Sequence, residues 1–600
     1  MLYLLKNYLA TVLVFLLAKV LFTLCNAAGH EVAWTDFPTI LWHGLSLDLS
    51  TSLYLFLLPF LATVVAVWVR LPRWAFRIYY TFIAITLALA FVADTSIYSF
   101  WGYKLDASYL QYLEQPEGIT QSVSIAYLLL LLLIWILVAT IIFWLFDRNT
   151  IHSPATSKIA GKVKETLVYI TCIPLIVIGI RGGIGDSTTN TGQVYYSQNQ
   201  FLNHAAINPV FNFLYSISHK LDALEQYRFF TDEECDLLTN SVYTTESIDS
   251  DTLLNTLRPN ILIILLESAG EQFAEAMPRL QELKKEGIDF SRCYANSWRT
   301  DRGTVCTLSG YPSFPSISVM KIPEKSRNLP SIALSLKQED YQTEYLYGGD
   351  INFTNMRSYL IATGWQKVND IKDFPLSEQR TSRWGVRDEI TFRTLYQRIT
   401  QQALSDTQDS APHLWGFSTL SSHEPWDVPT HTHDDEVLNA FAYLDNCLAM
   451  FIDSLRNTPV WDNLLIILTA DHGINYQDVT PYTPLRKNHI PMIWIGGAVK
   501  EPKKIDVICN QSDLAATLLA QLRLPHDGFT FSRDVFSKTY THPTAVHNYS
   551  NIQWITDSTG HLFYDFDAQQ VIIDSTTNSE RLLRLDKAIL QQTSRNLKEL

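Results

Sequence analysis

The chain has 600 residues, too many for one compact core, and its composition is split: nearly all long apolar runs precede residue 181, and most of the charge follows it. A net charge of −14 argues against a nucleic-acid partner, which would need a basic face. None of the seven cysteines forms a CxxC pair, so a thiolate zinc site is not expected, and the odd count leaves at least one unpaired within the chain.

A helix that crosses the hydrocarbon core needs roughly 20 apolar residues. Residues 4–24, 49–69, 76–97 and 125–146 meet that length or nearly so, and 166–181 is shorter but uncharged from Thr166 to Ile180. The first reads as a membrane helix rather than a cleaved signal peptide, because four apolar segments follow it and no clear small-residue cleavage site closes it. Arg70, Arg73 and Arg77 follow the second segment, and Arg148, Lys158, Lys162 and Lys164 follow the fourth. Residues 25–48 hold no Lys or Arg, and the loop between the third and fourth segments holds only Lys104. The excess of basic residues in cytoplasmic loops then places the N-terminus inside and everything after residue 181 outside. Lys19 and Asp94 lie within apolar segments. Such charges are functional candidates. The blander reading is that Asp94 sits near the outer end of its helix and that Lys19 snorkels or faces a neighbour.

Residues 182–258 read as a linker between a membrane domain, 1–181, and a catalytic domain, 259–600. Gly182–Gly192 is loop-like. Phe201 to Leu221 has apolar residues at helical spacing, expected either on the membrane surface or packed on the soluble domain. Residues 231–255 are acidic and polar, as in a connector.

From Pro259 the pattern changes. Asn260-Ile-Leu-Ile-Ile-Leu-Leu-Glu267 is an apolar run that ends in a carboxylate, and Leu464-Leu-Ile-Ile-Leu-Thr-Ala-Asp-His-Gly473 repeats the design. Short unbroken apolar runs suit strands buried on both faces. Thr343–Tyr347, Leu414–Thr419 and Pro491–Gly496 are further candidate strands. Met277–Glu286, Leu329–Gln338, Val437–Leu455 and Ser512–Leu522 are helical patterns between them. The alternation predicts an α/β domain, with its ligand beyond the carboxyl ends of the strands. Glu267, Asp471 and His472 then stand at strand ends. Two carboxylates and an imidazole suit zinc, manganese or magnesium. A metal there lowers the pKa of a nearby hydroxyl and neutralises phosphoryl oxygens. Thr300 opens a predicted helix in Ser297-Trp-Arg-Thr-Asp-Arg-Gly-Thr304. It is either a nucleophile at a phosphate-binding helix end or simply the N-cap. Residues 541–575 read as a small added sheet, 580–600 as a surface helix, and His413, His431 and His433 as solvated or loop residues. Cys293 and Cys306 flank Thr300, either as a disulfide or as two buried thiols.

These residues resemble the lipoteichoic acid synthase and phosphoethanolamine transferase families of the alkaline phosphatase/sulfatase superfamily. The matching blocks are Pro259-Asn-Ile-Leu-Ile-Ile-Leu-Leu-Glu-Ser268, Arg299-Thr-Asp-Arg-Gly-Thr-Val with Leu308-Ser-Gly-Tyr-Pro312, Ser422-His-Glu-Pro-Trp426, Thr469-Ala-Asp-His-Gly473, His489-Ile-Pro491 and Ser512-Asp-Leu-Ala-Ala-Thr-Leu-Leu. The resemblance implies a five-helix transmembrane domain in a bacterial cell membrane. It also implies an extracytoplasmic α/β domain with a mixed, mostly parallel sheet and a small C-terminal sheet. It implies one divalent metal ion on Glu267, Thr300, Asp471 and His472, with Thr300 as nucleophile. His423 and His489 match positions that usually face the substrate phosphate, although His489 read alone is either a group behind the ligands or loop-facing. Arg302 is either a phosphate contact or part of a local ion pair, and Trp426 either meets a lipid head group or packs within the domain.

Two departures matter. Thr300-Asp-Arg-Gly-Thr304 replaces the modifiable Cys or Ser motif of sulfatases, and threonine cannot become formylglycine, so sulfate hydrolysis is disfavoured. The glycerol-phosphate polymerases carry a Trp and an Arg where this chain reads Gly348-Gly-Asp-Ile-Asn-Phe-Thr-Asn-Met-Arg357, so Asp350, Asn352 and Asn355 are expected to line the pocket instead. The implied reaction moves a phosphoglycerol or phosphoethanolamine head group from a membrane phospholipid to an envelope glycan, lipid or glycolipid, through phospho-Thr300. A phosphodiesterase or phosphatase using water, and a non-catalytic envelope assembly factor, are the rivals.

Overall fold

The computed structural model describes residues 2–101, 104–106, 125–148, 158–217, 224–243, 250–405, 411–549, 552–566 and 568–600. The chain divides into two compact units, Met1–Lys220 and Leu221–Leu600, so the segment read as a linker is shared between them.

The first unit holds five helices long and apolar enough to cross a membrane: α1 (Leu2–Asn26), α2 (Asp36–Ala66), α3 (Arg73–Trp101), α4 (Ile125–Arg148) and α5 (Ile159–Arg181). They make this a multi-pass membrane protein. The fifth starts earlier than expected and takes Lys162, Lys164 and Glu165 into its opening turns. Lys19 turns inward onto α2, where its ammonium donates to Asp48 Oδ2 and to the Gly44 carbonyl, each at 2.8 Å. Asp94 accepts from Lys104 and from the Leu105 amide. Buried charges are tolerable when paired and hydrogen-bonded in this way. The 201–221 pattern is broken at Asn208-Pro209 into two short helices, Gln200–Ala206 and Pro209–Ile217. Asn208 reaches Asp48 Oδ1 at 2.9 Å, and Asn212 reaches the Leu105 carbonyl at 3.0 Å. These helices therefore pack into the membrane unit, and the Leu221 end of the pattern lies outside the described residues.

The second unit is built on an eight-stranded sheet in the order β5-β4-β6-β1-β7-β8-β2-β9. The strands are β1 (Asn260–Leu266), β2 (Ile288–Phe290), β4 (Gln342–Tyr347), β5 (Lys367–Asn369), β6 (His413–Ser418), β7 (Leu464–Ala470), β8 (Met492–Ile495) and β9 (Lys503–Ile505). β5, β4, β6, β1 and β7 run parallel, and β8 is antiparallel to both neighbours. β1, β6 and β7 are almost wholly buried, as their unbroken apolar runs require. His413 departs from expectation. It begins β6 buried and stacks on Trp415 at 5.0 Å. His431 and His433 are exposed.

Register fixes the site. Leu266 stands beside Ala470, so the next residues, Glu267 and Asp471, leave adjacent strands side by side. A two-stranded sheet, β3 (Cys293–Tyr294) with β10 (Cys509–Asn510), lies next in the path to Thr300. A four-stranded antiparallel sheet follows: β11 (Ala545–Tyr549), β12 (Ile552–Asp557), β13 (Gly560–Asp565) and β14 (Gln570–Asp574). The last helix, Ser579–Glu599, is amphipathic. It buries Leu582, Leu585 and Ile589 against this sheet and Leu590 and Leu597 in the main core, and it packs on the Asp232–Thr239 helix, so it is more than a surface helix.

Candidate active site

Three predicted ligands converge. Glu267, Asp471 and His472 are all buried, with one ligand atom from each within 4.8 Å of the others. His472 Nε2 lies 3.6 Å from both Glu267 Oε1 and Asp471 Oδ2. Ser268, forced to a φ of 59°, donates its amide to Asp471 Oδ1 at 2.9 Å and its hydroxyl to Glu267 Oε1 at 2.8 Å. Asp471 Oδ1 also accepts from the His472 amide, but the buried Oδ2 has no hydrogen-bond partner. Burial, and then the negative charge of Asp471, push the Glu267 carboxyl up to about 8. Two crowded carboxylates, a partnerless carboxylate oxygen and an imidazole fit one divalent cation.

Thr300 completes the group. It is the first residue of the helix Thr300–Ser309, and Arg299 takes the cap position, so Thr300 is not the N-cap. Its hydroxyl donates to Glu267 Oε2 at 3.1 Å and lies 3.4 Å from His472 Nε2. Gly303 lets this helix approach Asp471, and Gln511 ties the two together. The Gln511 amide donates to the Asp471 carbonyl at 3.0 Å and to Thr307 Oγ at 2.9 Å. Sequence reasoning missed Gln511. It also missed Thr419, whose hydroxyl accepts from the Glu267 amide at 2.9 Å, and Ser422, whose hydroxyl donates to the Glu267 carbonyl at 2.6 Å. Asp388 was missed too. Its carboxylate accepts the Leu420 and Ser421 amides at 2.9 and 3.0 Å, and burial pushes it up to about 6. The sequence signals for these four were the Ser422 block, which holds Ser422 itself, the end of the candidate strand Leu414–Thr419, the Ser512 block next to Gln511 and, for Asp388, the head of a helix.

The remaining candidates have local partners of their own. His423 is half-buried, its Nδ1 donating to the Glu424 carbonyl at 2.8 Å and its ring 4.6 Å from Trp384. Trp426 is half-buried and packs on the hydrophobic core. His489 Nε2 donates to the Ser291 carbonyl at 2.9 Å, and the His489 backbone forms a β-bridge with Tyr294. Arg302 gives its Nε to the Ile317 carbonyl at 3.1 Å and lies over the Trp298 ring. The neighbouring Asp301 pairs with Lys321 at 3.3 Å and also feels the Arg302 charge. Asp350 Oδ1 accepts from the amide and side chain of Asn352, and Asn352 Oδ1 accepts from Arg357. Asn355 is buried and donates its side-chain amide to the Lys321 carbonyl at 3.2 Å. The buried Tyr347 hydroxyl feels the charges of Glu267, Asp471 and Asp350 together, and they raise its pKa behind the dominant effect of burial. Cys293 and Cys306 are both free buried thiols, and Cys293 instead faces Cys509 across the β3–β10 pair.

Residues 259–524 match the family model described as Sulfatase. Among curated proteins the chain is similar to the lipoteichoic acid synthase-like YvgJ of Bacillus subtilis (strain 168), 22% identical over 356 residues, which is 52% of this chain and 56% of that protein. It is also similar to phosphoglycerol transferase I of Xanthomonas campestris pv. campestris (strain B100), 23% identical over 297 residues, which is 44% of this chain and 41% of that protein. The chain thus spans about half the length of these relatives. Two solved structures share the fold. A protein in the alkaline phosphatase superfamily from Vibrio parahaemolyticus has a TM-score of 0.54 and 24% identity, covering 63% of this chain and 98% of its own. The lipoteichoic acid synthase LtaP from Listeria monocytogenes has a TM-score of 0.52 and 17% identity, covering 62% and 99%.

Proposed function

From a chain that carries a sulfatase-family domain behind five apolar helices, we propose a membrane phosphoglycerol transferase. The donor is a membrane phospholipid, the acceptor an envelope glycan, lipid or glycolipid, and the nucleophile Thr300. The observation that carries this reading is the Thr300 hydroxyl, 3.1 Å from Glu267 Oε2 at the mouth of a three-ligand cluster. Relatives named for phosphoglycerol transfer and lipoteichoic acid synthesis favour phosphoglycerol over phosphoethanolamine. Threonine at position 300 supports phosphate over sulfate chemistry, since it cannot be converted to formylglycine.

A divalent cation on Glu267, Asp471 and His472, beside Thr300, would supply the positive charge that acidifies the threonine hydroxyl and offsets the phosphoryl oxygens. Thr300 Oγ then bonds to phosphorus as the bond from phosphorus to the diacylglycerol oxygen breaks. The threonine proton ends on the departing diacylglycerol. The Thr300 and Asp301 amides, ahead of the Arg302 and Gly303 amides that bond the Arg299 carbonyl, would hold a phosphoryl oxygen. In the second half an acceptor hydroxyl oxygen bonds to phosphorus and Thr300 leaves, recovering a proton from the acceptor. His423, with Nδ1 fixed on Glu424, has Nε2 available to pass those protons. Basic loops after α2 and α4 support a cytoplasmic N-terminus and an extracytoplasmic catalytic unit.

The test is purified full-length protein in phosphatidylglycerol vesicles, with manganese, zinc or magnesium and with chelator. The Thr300 peptide is then weighed by mass spectrometry. A phosphoglycerol adduct on Thr300, lost with chelator, is expected. No adduct on any residue with metal supplied would sink the covalent route.

A further inference from the structure

The wall beside Thr300 is basic and aromatic in a chain that is acidic as a whole. Lys487 ends a short helical turn, Pro484–Lys487, and is only 3% exposed. Its ammonium lies 4.1 Å over the Tyr549 ring. Among the described residues no carboxylate and no hydrogen-bond acceptor meets it, and burial alone lowers its pKa, to about 8. Tyr549 packs 5.1 Å from Trp298, and Arg299 and Arg302 lie over the Trp298 ring at 4.9 and 5.1 Å. Trp298 Nε1 is buried without a partner.

His547 closes the wall. It sits two residues before Tyr549 on β11 and therefore on the same face of that strand. Its Nδ1 bonds the Ala295 carbonyl at 2.8 Å, which requires a proton on Nδ1. Nε2 is then a bare acceptor, buried and partnerless. Its partner Ala295 precedes Trp298 by three residues, and the charges of Lys487 and His472 both reach the ring behind the dominant effect of burial. Two unmatched donors and one unmatched acceptor thus gather next to the nucleophile. The added C-terminal sheet supplies part of the set.

We propose that Lys487, Trp298 Nε1 and His547 Nε2 form a subsite for a second anionic group, one carried by the acceptor and distinct from the phosphoryl group in transfer. Lys487 and Trp298 donate to the anionic oxygens, and His547 accepts from a neighbouring hydroxyl. The acceptor is then an alcohol that bears a phosphate or a carboxylate. This identification of the acceptor rests on the transferase reading above, whereas the anion site itself does not.

Calorimetry on the full-length protein in detergent, with chelator present, separates the two. The probes are inorganic phosphate, glucose 6-phosphate, glucuronate and glucose. Phosphate and the anionic sugars are expected to bind and glucose is not. Tighter binding of glucose 6-phosphate than of glucuronate assigns a phosphate, and the reverse a carboxylate. Lys487→Gln should weaken the anions at least ten-fold, and Lys487→Arg should restore most of that loss. Absence of anion binding in the unaltered protein, or equal affinity in Lys487→Gln, would overturn the subsite. Failure of the Thr300 adduct with anion binding intact would instead count against the transferase reading.

Discussion

Gly303 and Asp471 touch through their backbones: a Cβ at Gly303 would fall 2.0 Å from the Asp471 carbonyl oxygen. The helix that presents Thr300 is therefore seated directly on the strand end that presents a ligand. Gly303→Ala should force them apart, at a cost of about 1–3 kcal/mol for overpacking. We expect a lower melting temperature and at least a ten-fold loss of diacylglycerol release from phosphatidylglycerol. Unchanged turnover in Gly303→Ala would show that this contact does not set the distance from Thr300 to its ligands.

Thr300→Ala should abolish the covalent adduct, while Thr300→Ser should keep a measurable fraction of it. Removing a nucleophile costs orders of magnitude in rate. Both variants should fold, because among the described residues the Thr300 hydroxyl bonds only Glu267 and His472. Melting temperature within a few degrees of the parent checks that point.

The Glu267 carboxyl is raised to about 8 by burial and by Asp471, against 4.5 in the unfolded chain. In metal-free protein its contribution to stability is complete below about pH 4.5 and is lost as pH rises through about 8. The chelated protein should therefore melt at progressively lower temperature from pH 5 to pH 8. Asp388 and Asp586, raised to about 6 and about 7, act in the same direction, so Glu267→Gln is needed to isolate the Glu267 share. That variant should flatten the slope, and added divalent metal should stabilise the parent more at pH 8 than at pH 5. A chelated parent as stable at pH 8 as at pH 5 would contradict the crowded-carboxylate picture.

Asp388 holds the loop that leads to His423 through two backbone amides. Asp388→Ala leaves those amides unsatisfied, at about 1–3 kcal/mol. Hydrogen exchange should rise at Leu420 and Ser421 without rising in β1 or β7.

In the membrane unit, Lys19 and Asp48 form a fully buried pair at 2.8 Å. Lys19→Met alone strands a buried carboxylate and should cost about 3–5 kcal/mol. Lys19→Met with Asp48→Leu should recover most of that, as read by thermal unfolding in detergent. A double variant no better than the single one would point to Asn208, which also donates to Asp48, as the dominant partner.

The parts of the fold that could be read from sequence are those where one physical signal dominated. β1 and β7 announce themselves because burial on both faces demands an unbroken apolar run, and their terminal residues deliver Glu267 and Asp471 as that pattern implies. β2 and β5 escaped because three-residue strands such as Ile288-Asp-Phe290 carry no period long enough to detect. Lys19 was visible as an anomaly, but its partner Asp48 was not, since pairing across helices leaves no mark in local sequence. Gln511 and Asp388 were invisible for a related reason. Their work is to bond backbone amides and carbonyls far away in the chain, and almost any sequence can supply those groups.

The register that sets Glu267 beside Asp471 has a further consequence. Ser268 and Asp471 are 203 residues apart in the chain, yet the cluster exists only when β1 and β7 have paired. A nascent or misfolded chain offers His472 and Asp471 as neighbours but lacks the third ligand and the nucleophile. Capture of a divalent cation there would act as a proofreading step on folding: it would select the chains whose central strands have closed in the correct alignment and hold them there.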